Sequence, residues 1–256
     1  MPTMEWWWVT AASWLAGFVD AIVGGGGLIL VPTLFATFAQ TPPATLFGTG
    51  KGASVWGTAF ASWQYQRRVA LRTPVLVGGA VAAFATSLLG AWMVTVLPAT
   101  LLRKALPFVL LVVLLYTLWR KDLGRTHTPR WHGRREVLAS VSLGGVIGWY
   151  DGFFGPGTGS FLVFLFVRLL GYDFLRASAA AKLLNTASNT AALLLFAFKG
   201  HVWWWPWVVS MALANVAGSL VGTRLALRRG AGFVRAVFIV VVSSLILKTG
   251  YDAFLR

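Results

Sequence analysis

Cysteine is absent from this 256-residue chain, so disulfide bonds, thiolate metal sites and iron–sulfur clusters are excluded. Acidic residues are scarce as well, with 7 Asp and Glu against 22 Lys and Arg, and charged residues make up only 11% of the chain. Soluble domains usually carry about 25% charged residues. This shortfall, with 57% hydrophobic residues and a mean hydropathy of +0.73, indicates that lipid surrounds most of the chain.

Motifs for cofactors and metals are also missing. His127, His132 and His201 lie in predicted loops without the spacing of metal ligands. The glycines around Lys51 do not complete a phosphate-binding loop, which needs an earlier glycine and a Ser or Thr after the lysine. We therefore predict no cofactor, no metal site and no transport powered by the chain's own ATP hydrolysis.

The net charge of +15 does not indicate nucleic-acid binding, because nearly all basic residues stand at the ends of apolar runs. Membrane proteins place Lys and Arg there to fix their orientation in the bilayer. The predicted surroundings are a lipid bilayer, with no nucleic acid as partner. The N-terminus lacks the basic region of a cleaved signal peptide, so we expect the first apolar segment to be retained.

Ten apolar segments follow one another, five on each side of a basic stretch. Most are long enough to span a bilayer as helices of about 20 residues, but the second segment of each half is short. Gly and Pro just before each short segment disfavour helix there. The segments run over residues 6–23, 27–39, 43–65, 73–97, 101–119, 137–154, 158–171, 174–197, 203–227 and 232–254.

Rare residues recur in the same order in both halves. An offset of 131 residues superposes Asp20 on Asp151 and Lys51 on Lys182, in a chain that has only five Asp and six Lys. The same offset superposes Gly17, Gly24 and Gly26 on Gly148, Gly155 and Gly157. We interpret this pattern as an internal duplication.

The distribution of Lys and Arg indicates the topology. With ten passes and the central basic stretch inside, fifteen basic residues take inside positions and five take outside positions. Merging each short segment with the preceding one gives eight passes and moves Arg168 and Arg176 outside. An odd number of passes per half inverts the halves relative to each other, as in many secondary transporters.

The predicted fold class is therefore an all-α integral membrane protein of two inverted repeats, each with about five hydrophobic segments and a glycine-rich broken helix near its start. The predicted parts are an N-terminal membrane repeat at 1–119, a basic cytoplasmic linker at 120–136 and a C-terminal membrane repeat at 137–256.

Four charged residues lie within apolar segments: Asp20, Lys51, Asp151 and Lys182. A charge at the centre of a bilayer costs about 2.5–3.5 kcal/mol on insertion scales, so such residues are functional candidates. For Lys51 the alternative is snorkelling of the amine to the headgroups. Each aspartate could cap backbone amides, pair with a lysine or carry a coupling proton.

Polar residues extend the two lysines into stripes at helical spacing. These residues are Ser54, Thr58, Asn185 and Asn189. We predict that the stripes line a cavity; the alternative is that they hold helices together through hydrogen bonds.

The glycine breaks offer backbone amides and the positive ends of half-helices, which suit an anion. The residues predicted to contribute are Gly25, Gly26, Gly157 and Thr158. With two lysines and no excess of buried acid, the site is expected to favour a negative substrate. Tight helix packing through small residues is the alternative explanation for the glycines.

The pattern resembles the TauE/SafE sulfite exporter family, including its YfcA-like members. The resemblance rests on the stretch Gly17–Gly27 with Pro32, on Lys51, on Gly148–Gly159, on Lys182–Asn189 and on Gly200–Val202. It implies a bacterial inner-membrane protein that transports sulfite or a small organosulfur anion. It also implies that Lys51, Lys182, Asn185 and Asn189 occupy positions typical of the family.

The predicted function is secondary transport of a small anion by alternating access between the halves, with a proton or sodium as coupling ion. A passive anion channel and a membrane-embedded enzyme are the alternatives. The enzyme has less support, because no nucleophile–base set or metal cluster accompanies the aspartates. Direction of transport and oligomeric state are left open, with a homodimer as one form.

Overall fold

A computed structural model describes residues 4–118, 127–229 and 233. Within these residues all nine predicted segments are helical and no strand occurs, which confirms the all-α fold class. The tenth predicted segment, 232–254, and most of the predicted linker lie outside the described residues. The helices are α1 Met4–Val23, α2 Gly27–Thr37, α3 Pro43–Gln66, α4 Thr73–Val96, α5 Ala99–Leu118, α6 Arg134–Phe153, α7 Thr158–Leu165, α8 Phe174–Phe198 and α9 Pro206–Arg229.

Two of these helices are too short to cross a membrane. Helix α2 has 11 residues, and α7 has 8 before a π-helical turn at Phe166–Leu170 extends it. Eleven residues rise only about 16 Å, against a hydrocarbon core of about 30 Å. By contrast α1, α4 and α9 are long and apolar enough to span.

The two breaks before α2 and α7 meet inside the protein. The amide of Ser160 donates to the carbonyl of Gly24 at 3.1 Å, and Gly27 lies against Pro156. A Cβ at Gly24 would lie 2.3 Å from the carbonyl carbon of Gly159, and φ of Gly24 is +80°, so glycine is required there. The non-helical backbone of each break is therefore buried against the other, which is how such backbone is tolerated at membrane depth.

Two helix crossings use glycine for close approach. In one, α6 crosses α4, and a Cβ at Gly148 would lie 2.5 Å from Cα of Ala83. In the other, α1 crosses α9, and a Cβ at Gly17 would lie 2.1 Å from the carbonyl oxygen of Asn215. Close backbone approach through small residues is typical of helix packing in membranes.

These crossings are equivalent under the offset found in the sequence. Gly17 and Gly148 differ by 131 positions, and their neighbours Ala83 and Asn215 differ by 132. Two serine hydrogen bonds repeat in the same way. The hydroxyl of Ser87 donates to Ser188 O at 2.8 Å, and that of Ser219 donates to Gly57 O at 2.6 Å.

Large hydrophobic side chains face outward along these helices. Phe198 is 89% exposed and Leu213 is 69% exposed, as suits side chains in contact with lipid tails. The buried core instead runs between the helices and includes Phe166, Leu184 and Phe196.

The segment at 127–133 packs against the turn between α7 and α8. Thr128 N donates to Gly171 O at 2.9 Å, and Tyr172 donates from its hydroxyl to Glu136 at 2.7 Å. Burial and this hydrogen bond raise the pKa of the Tyr172 phenol. Arg72 pairs with the same carboxylate at 2.6 Å, so Glu136 is buried but satisfied.

Candidate functional site

A small cavity of about 40 Å³ lies where the two breaks meet the polar faces of α3 and α8. Its polar wall consists of Asp20, Lys51, Ser54, Thr58, Asp151, Asn185, Asn189 and Asn215. Its remaining wall includes the glycines 24, 26, 27, 50, 155 and 159 and the rings of Phe47 and Phe154. The cavity thus combines charged, amide, hydroxyl and backbone groups with an apolar lining, as solute-binding sites do.

Lys51 joins the two halves at the cavity wall. Its Nζ lies 2.7 Å from Oδ1 of Asp151 and donates to Oδ1 of Asn189 at 2.7 Å. A Cβ at Gly155 would lie 3.0 Å from this amine, and φ of Gly155 is +87°, so glycine leaves room for the ammonium group. The lysine extends inward to a buried partner, so the snorkelling alternative is wrong for Lys51.

Lys182 makes the corresponding pair, in which the second half supplies the lysine and the first half supplies the aspartate. Its Nζ lies 3.0 Å from Oδ2 of Asp20 and also donates to the backbone carbonyl of Asp20. The side chain of Lys182 is 0% exposed. This amine is fully enclosed and does not line the cavity, although Asp20 does.

The electrostatic expectation requires correction. Two lysines were expected to make the site positive, but each of them pairs with an aspartate of the other half. Buried charges are paired because an isolated charge away from water is expensive. The two pairs together are neutral, and an incoming anion must compete with Asp151 for Lys51.

Asp151 is only partly satisfied. Its Oδ1 contacts Lys51, whereas its Oδ2 is buried and has no hydrogen-bond partner among the described residues. A buried carboxylate oxygen without a donor is costly. A hydrogen-bond donor on a bound solute would remove that cost.

Several predicted residues lie away from the cavity wall. Besides Lys182, these are Gly25, Gly157 and Thr158. Gly157 takes φ +83° immediately before α7, and the hydroxyl of Thr158 donates to Gly155 O at 2.9 Å. These two residues shape the second break, and the hydroxyl is used within it.

Asn215 is the cavity residue that the repeat analysis missed. Its Nδ2 donates to Ser13 O at 3.0 Å, and its Oδ1 occupies the space that a Cβ at Gly57 would need. The repeat did not reveal it, because the equivalent position in the first half is Ala83. Composition could have revealed Asn215, because the chain has only three asparagines and all three line this cavity.

The site offers no arrangement for a metal ion. Within the described residues no group of three or more His, Asp or Glu side chains comes together. The chemistry available is ion pairing, hydrogen bonding and proton uptake.

A family model matches most of the chain. It is the model of the sulfite exporter TauE/SafE family, and it aligns with residues 9–249. The chain belongs to this family. No solved structure matches the chain.

Curated relatives agree with this membership over nearly their whole length. "Probable membrane transporter protein ORF9" of Sinorhizobium sp is 35% identical, covering 93% of this chain and 89% of that protein. "Probable membrane transporter protein YfcA" of Escherichia coli K12 is 36% identical, covering 93% and 87%. "Probable membrane transporter protein" of Haemophilus influenzae is 33% identical, covering 93% and 91%.

Membership of TauE/SafE makes this chain a multi-pass membrane transporter and not an enzyme. The spanning helices and the exposed apolar side chains agree with that class. The chemistry of the cavity is therefore interpreted as solute binding.

Proposed function

We propose that the chain is a secondary transporter of a small anion, most simply sulfite or a small sulfonate, in the inner membrane of a bacterium. The family's description as sulfite exporters supports this substrate class. The observation that carries the proposal is the Lys51 ammonium at the cavity wall, held by one carboxylate oxygen and one amide oxygen. Both partners can be exchanged for the oxygens of an anion.

The binding step is an exchange of partners at Lys51. A sulfur oxyanion replaces Asp151 beside the ammonium group, where a charge-assisted hydrogen bond is about twice as strong as a neutral one. The amide groups of Asn185 and Asn189 and the hydroxyls of Ser54 and Thr58 lie on the same wall. The glycines of the first break, Gly26 among them, bring backbone close to the solute.

The coupling ion in this proposal is a proton, taken up by Asp151. Once protonated, the carboxyl no longer holds Lys51 by charge, and the lysine is free for the anion. The proton binds at Oδ2 of Asp151, which has no hydrogen-bond partner among the described residues. Anion and proton then favour each other's binding by the same factor, because linkage is reciprocal.

Alternating access fits the way the halves are joined. The cavity lies between the two breaks, and both lysine–aspartate pairs cross from one half to the other. Repeats that are inverted in the membrane commonly rock about such a central site. The equivalent crossings of α1 with α9 and of α6 with α4 provide two similar surfaces for that motion.

Counterflow in proteoliposomes tests the carrier. Liposomes are loaded with unlabelled sulfite, and the entry of labelled sulfite is followed in the wild type, in Lys51→Met and in Lys199→Met. Lys199 is an exposed lysine at the end of α8 and serves as the matched control. Transient accumulation in the wild type and Lys199→Met, with at least a tenfold loss in Lys51→Met, is expected from a lost charged hydrogen bond of about 1.5–3 kcal/mol.

Other results would change the assignment. Sulfite entry without accumulation above equilibrium would identify a passive channel. Equal counterflow in Lys51→Met and the wild type would place the anion elsewhere.

Proton coupling is tested with Asp151→Asn. The wild type should accumulate sulfite in response to an imposed proton gradient, with tighter anion binding at lower pH. Asp151→Asn should keep counterflow but lose gradient-driven accumulation, because an amide takes up no proton. Asp173→Asn is the control and should behave as wild type, because Asp173 caps the start of α8 beside Arg176 and Asn is an equally good capping residue. If Asp151→Asn still accumulated sulfite in response to a proton gradient, Asp151 would not be the residue that takes up the coupling proton.

A further inference from the structure

A second cavity lies at the ends of α3 and α9, away from the central site. Its volume is about 460 Å³. Its wall consists of Trp63, Gln64, Arg67, Arg68, Arg224, Leu227 and Arg228. By the topology predicted from the sequence, this end of the helices faces the cytoplasm.

Hydrogen-bond donors dominate this cavity. Four guanidinium groups line it, and no acidic side chain does among the described residues. None of the four forms an ion pair with a described residue. The Nε2 of Gln64 is buried there without a hydrogen-bond partner in the described part of the chain.

One of the arginines is held in place by an aromatic ring. The guanidinium carbon of Arg67 lies 5.0 Å from the centroid of the Trp63 ring. Such stacking orients a guanidinium while leaving its donors free for a planar or tetrahedral oxyanion.

Positive-inside orientation alone does not account for this arrangement. It requires basic residues on the inner side but does not require them to converge on one cavity with a buried amide. Three of the four repeat-related positions at the opposite end of the molecule are apolar, since Phe198 corresponds to Arg67, and Trp92 and Val96 correspond to Arg224 and Arg228. The fourth is Lys199, which corresponds to Arg68, so only one basic residue is found there.

We propose that this cavity binds the phosphate group of an anionic phospholipid headgroup. Basic pockets between membrane helices on the cytoplasmic side are suited to such headgroups. Arginine pairs phosphate oxygens in bidentate geometry.

The outer face of α3 favours a lipid over a soluble anion. Trp56 and Trp63 are separated by two helical turns and are 56% and 53% exposed. Phe60, between them, packs its ring against Trp63 with centroids 5.4 Å apart. The arginine cavity therefore adjoins an exposed aromatic surface along which acyl chains can lie, with the aromatic rings at headgroup level.

The test uses the full-length protein in detergent. Binding of phosphatidylglycerol is titrated by native mass spectrometry, with phosphatidylcholine of the same acyl chains as the neutral-headgroup comparison. The variants are Arg67→Gln with Arg68→Gln, and separately Arg224→Gln with Arg228→Gln. All four side chains are exposed, so each variant should fold, which thermal unfolding checks.

Each double substitution should weaken phosphatidylglycerol binding by about 25-fold, because each basic residue near an anionic headgroup contributes roughly a factor of five. The matched control is Arg134→Gln with Arg135→Gln, two exposed arginines at the start of α6 on the same predicted side. Binding by the control should stay within about twofold of the wild type.

Three results would overturn the proposal. Equal losses in the control and in the cavity variants would mean a diffuse charge effect. Equal binding of phosphatidylcholine would mean that the phosphate charge is not recognised. Displacement of the lipid by glycerol phosphate at similar concentration would assign the cavity to a soluble phosphate anion instead.

Discussion

The two lysine–aspartate pairs arose at equivalent positions but lie in different surroundings. Lys51 and its partner Asp151 both line the central cavity, and Asn189 adds a second oxygen to the lysine. Lys182 is enclosed and donates its second hydrogen bond to the backbone carbonyl of its partner Asp20. One pair is open to a solute and the other is closed.

One difference in sequence between the repeats accompanies this difference in surroundings. The position of Asn189 in the second half is occupied by Thr58 in the first. Asn189 reaches across to Lys51, whereas the hydroxyl of Thr58 donates to Ser54 O of its own helix at 2.8 Å. The two halves thus carry similar charged pairs, and the neighbouring side chains differ around them.

The largest expected effect is a difference in thermal stability between variants of the two lysine–aspartate pairs. Lys182→Met leaves Asp20 without a charged partner, and no water can replace an amine that is fully enclosed. Breaking a buried pair costs about 3–5 kcal/mol. Lys51→Met should cost less, because Lys51 itself lines the cavity, so that water can take the place of its amine beside Asp151. Thermal unfolding in detergent should therefore rank Lys182→Met well below Lys51→Met.

The double variant Lys182→Met with Asp20→Asn serves as the control for this ranking. It should recover part of the loss, because no charge is left unpaired. If Lys51→Met were less stable than Lys182→Met, the expected ranking would be wrong, and the Lys51–Asp151 pair would be the one that contributes more to the stability of the fold.

The next effect tests whether the two glycine crossings contribute equally to stability, as their similar contacts predict. Gly17→Ala and Gly148→Ala each place a methyl group within 2.5 Å of backbone atoms of the crossing helix. Overpacking of this kind costs about 1–3 kcal/mol. Both variants should unfold at lower temperature by similar amounts.

Gly145→Ala is the matched control for the crossings. Its added methyl group would have Thr86 Cγ2 as nearest neighbour at 3.9 Å, so stability should not fall. A loss in Gly145→Ala equal to that in Gly148→Ala would show that helix-wide effects, not the crossing, are responsible.

The smallest effect concerns the residue that distinguishes the repeats. Asn189→Thr removes the amide beside Lys51 and should weaken sulfite binding about five- to tenfold, as expected for about 1 kcal/mol of hydrogen bonding. Thr58→Val should change binding less than about twofold, because its hydroxyl is used within α3. Binding is measured as the concentration of sulfite that half-saturates counterflow.

The opposite ranking would reverse the functional assignment of the repeats. If Thr58→Val weakened binding more than Asn189→Thr, the first half would supply the principal contacts, and Lys182 would have to open during transport.

Much of the architecture could be read from the sequence. The third segment was predicted at 43–65 and is helical over Pro43–Gln66; the break before the second was marked by its glycines. The charged residues within apolar segments all meet at the centre. These features could be predicted because apolar length and buried charge are local properties with strong energetic consequences in lipid.

The site was predicted less completely. Asn215 was missed because it has no counterpart in the first repeat, and its role depends on α9 crossing α1. Thr158 was assigned to the site, but its hydroxyl bonds within the second break. Neither outcome could be read from spacing, since both depend on which helix lies opposite.

Composition alone predicted that this chain lies in a membrane, and the order of residues predicted two related halves and four charges within apolar segments. Each follows from composition or from repetition along the chain. Which lysine meets which aspartate, the cancellation of charge between the pairs, and the position of Lys51 but not Lys182 on the cavity wall all depend on how the helices pack. The physical reason is that equivalent positions acquire different energies once different neighbours pack around them.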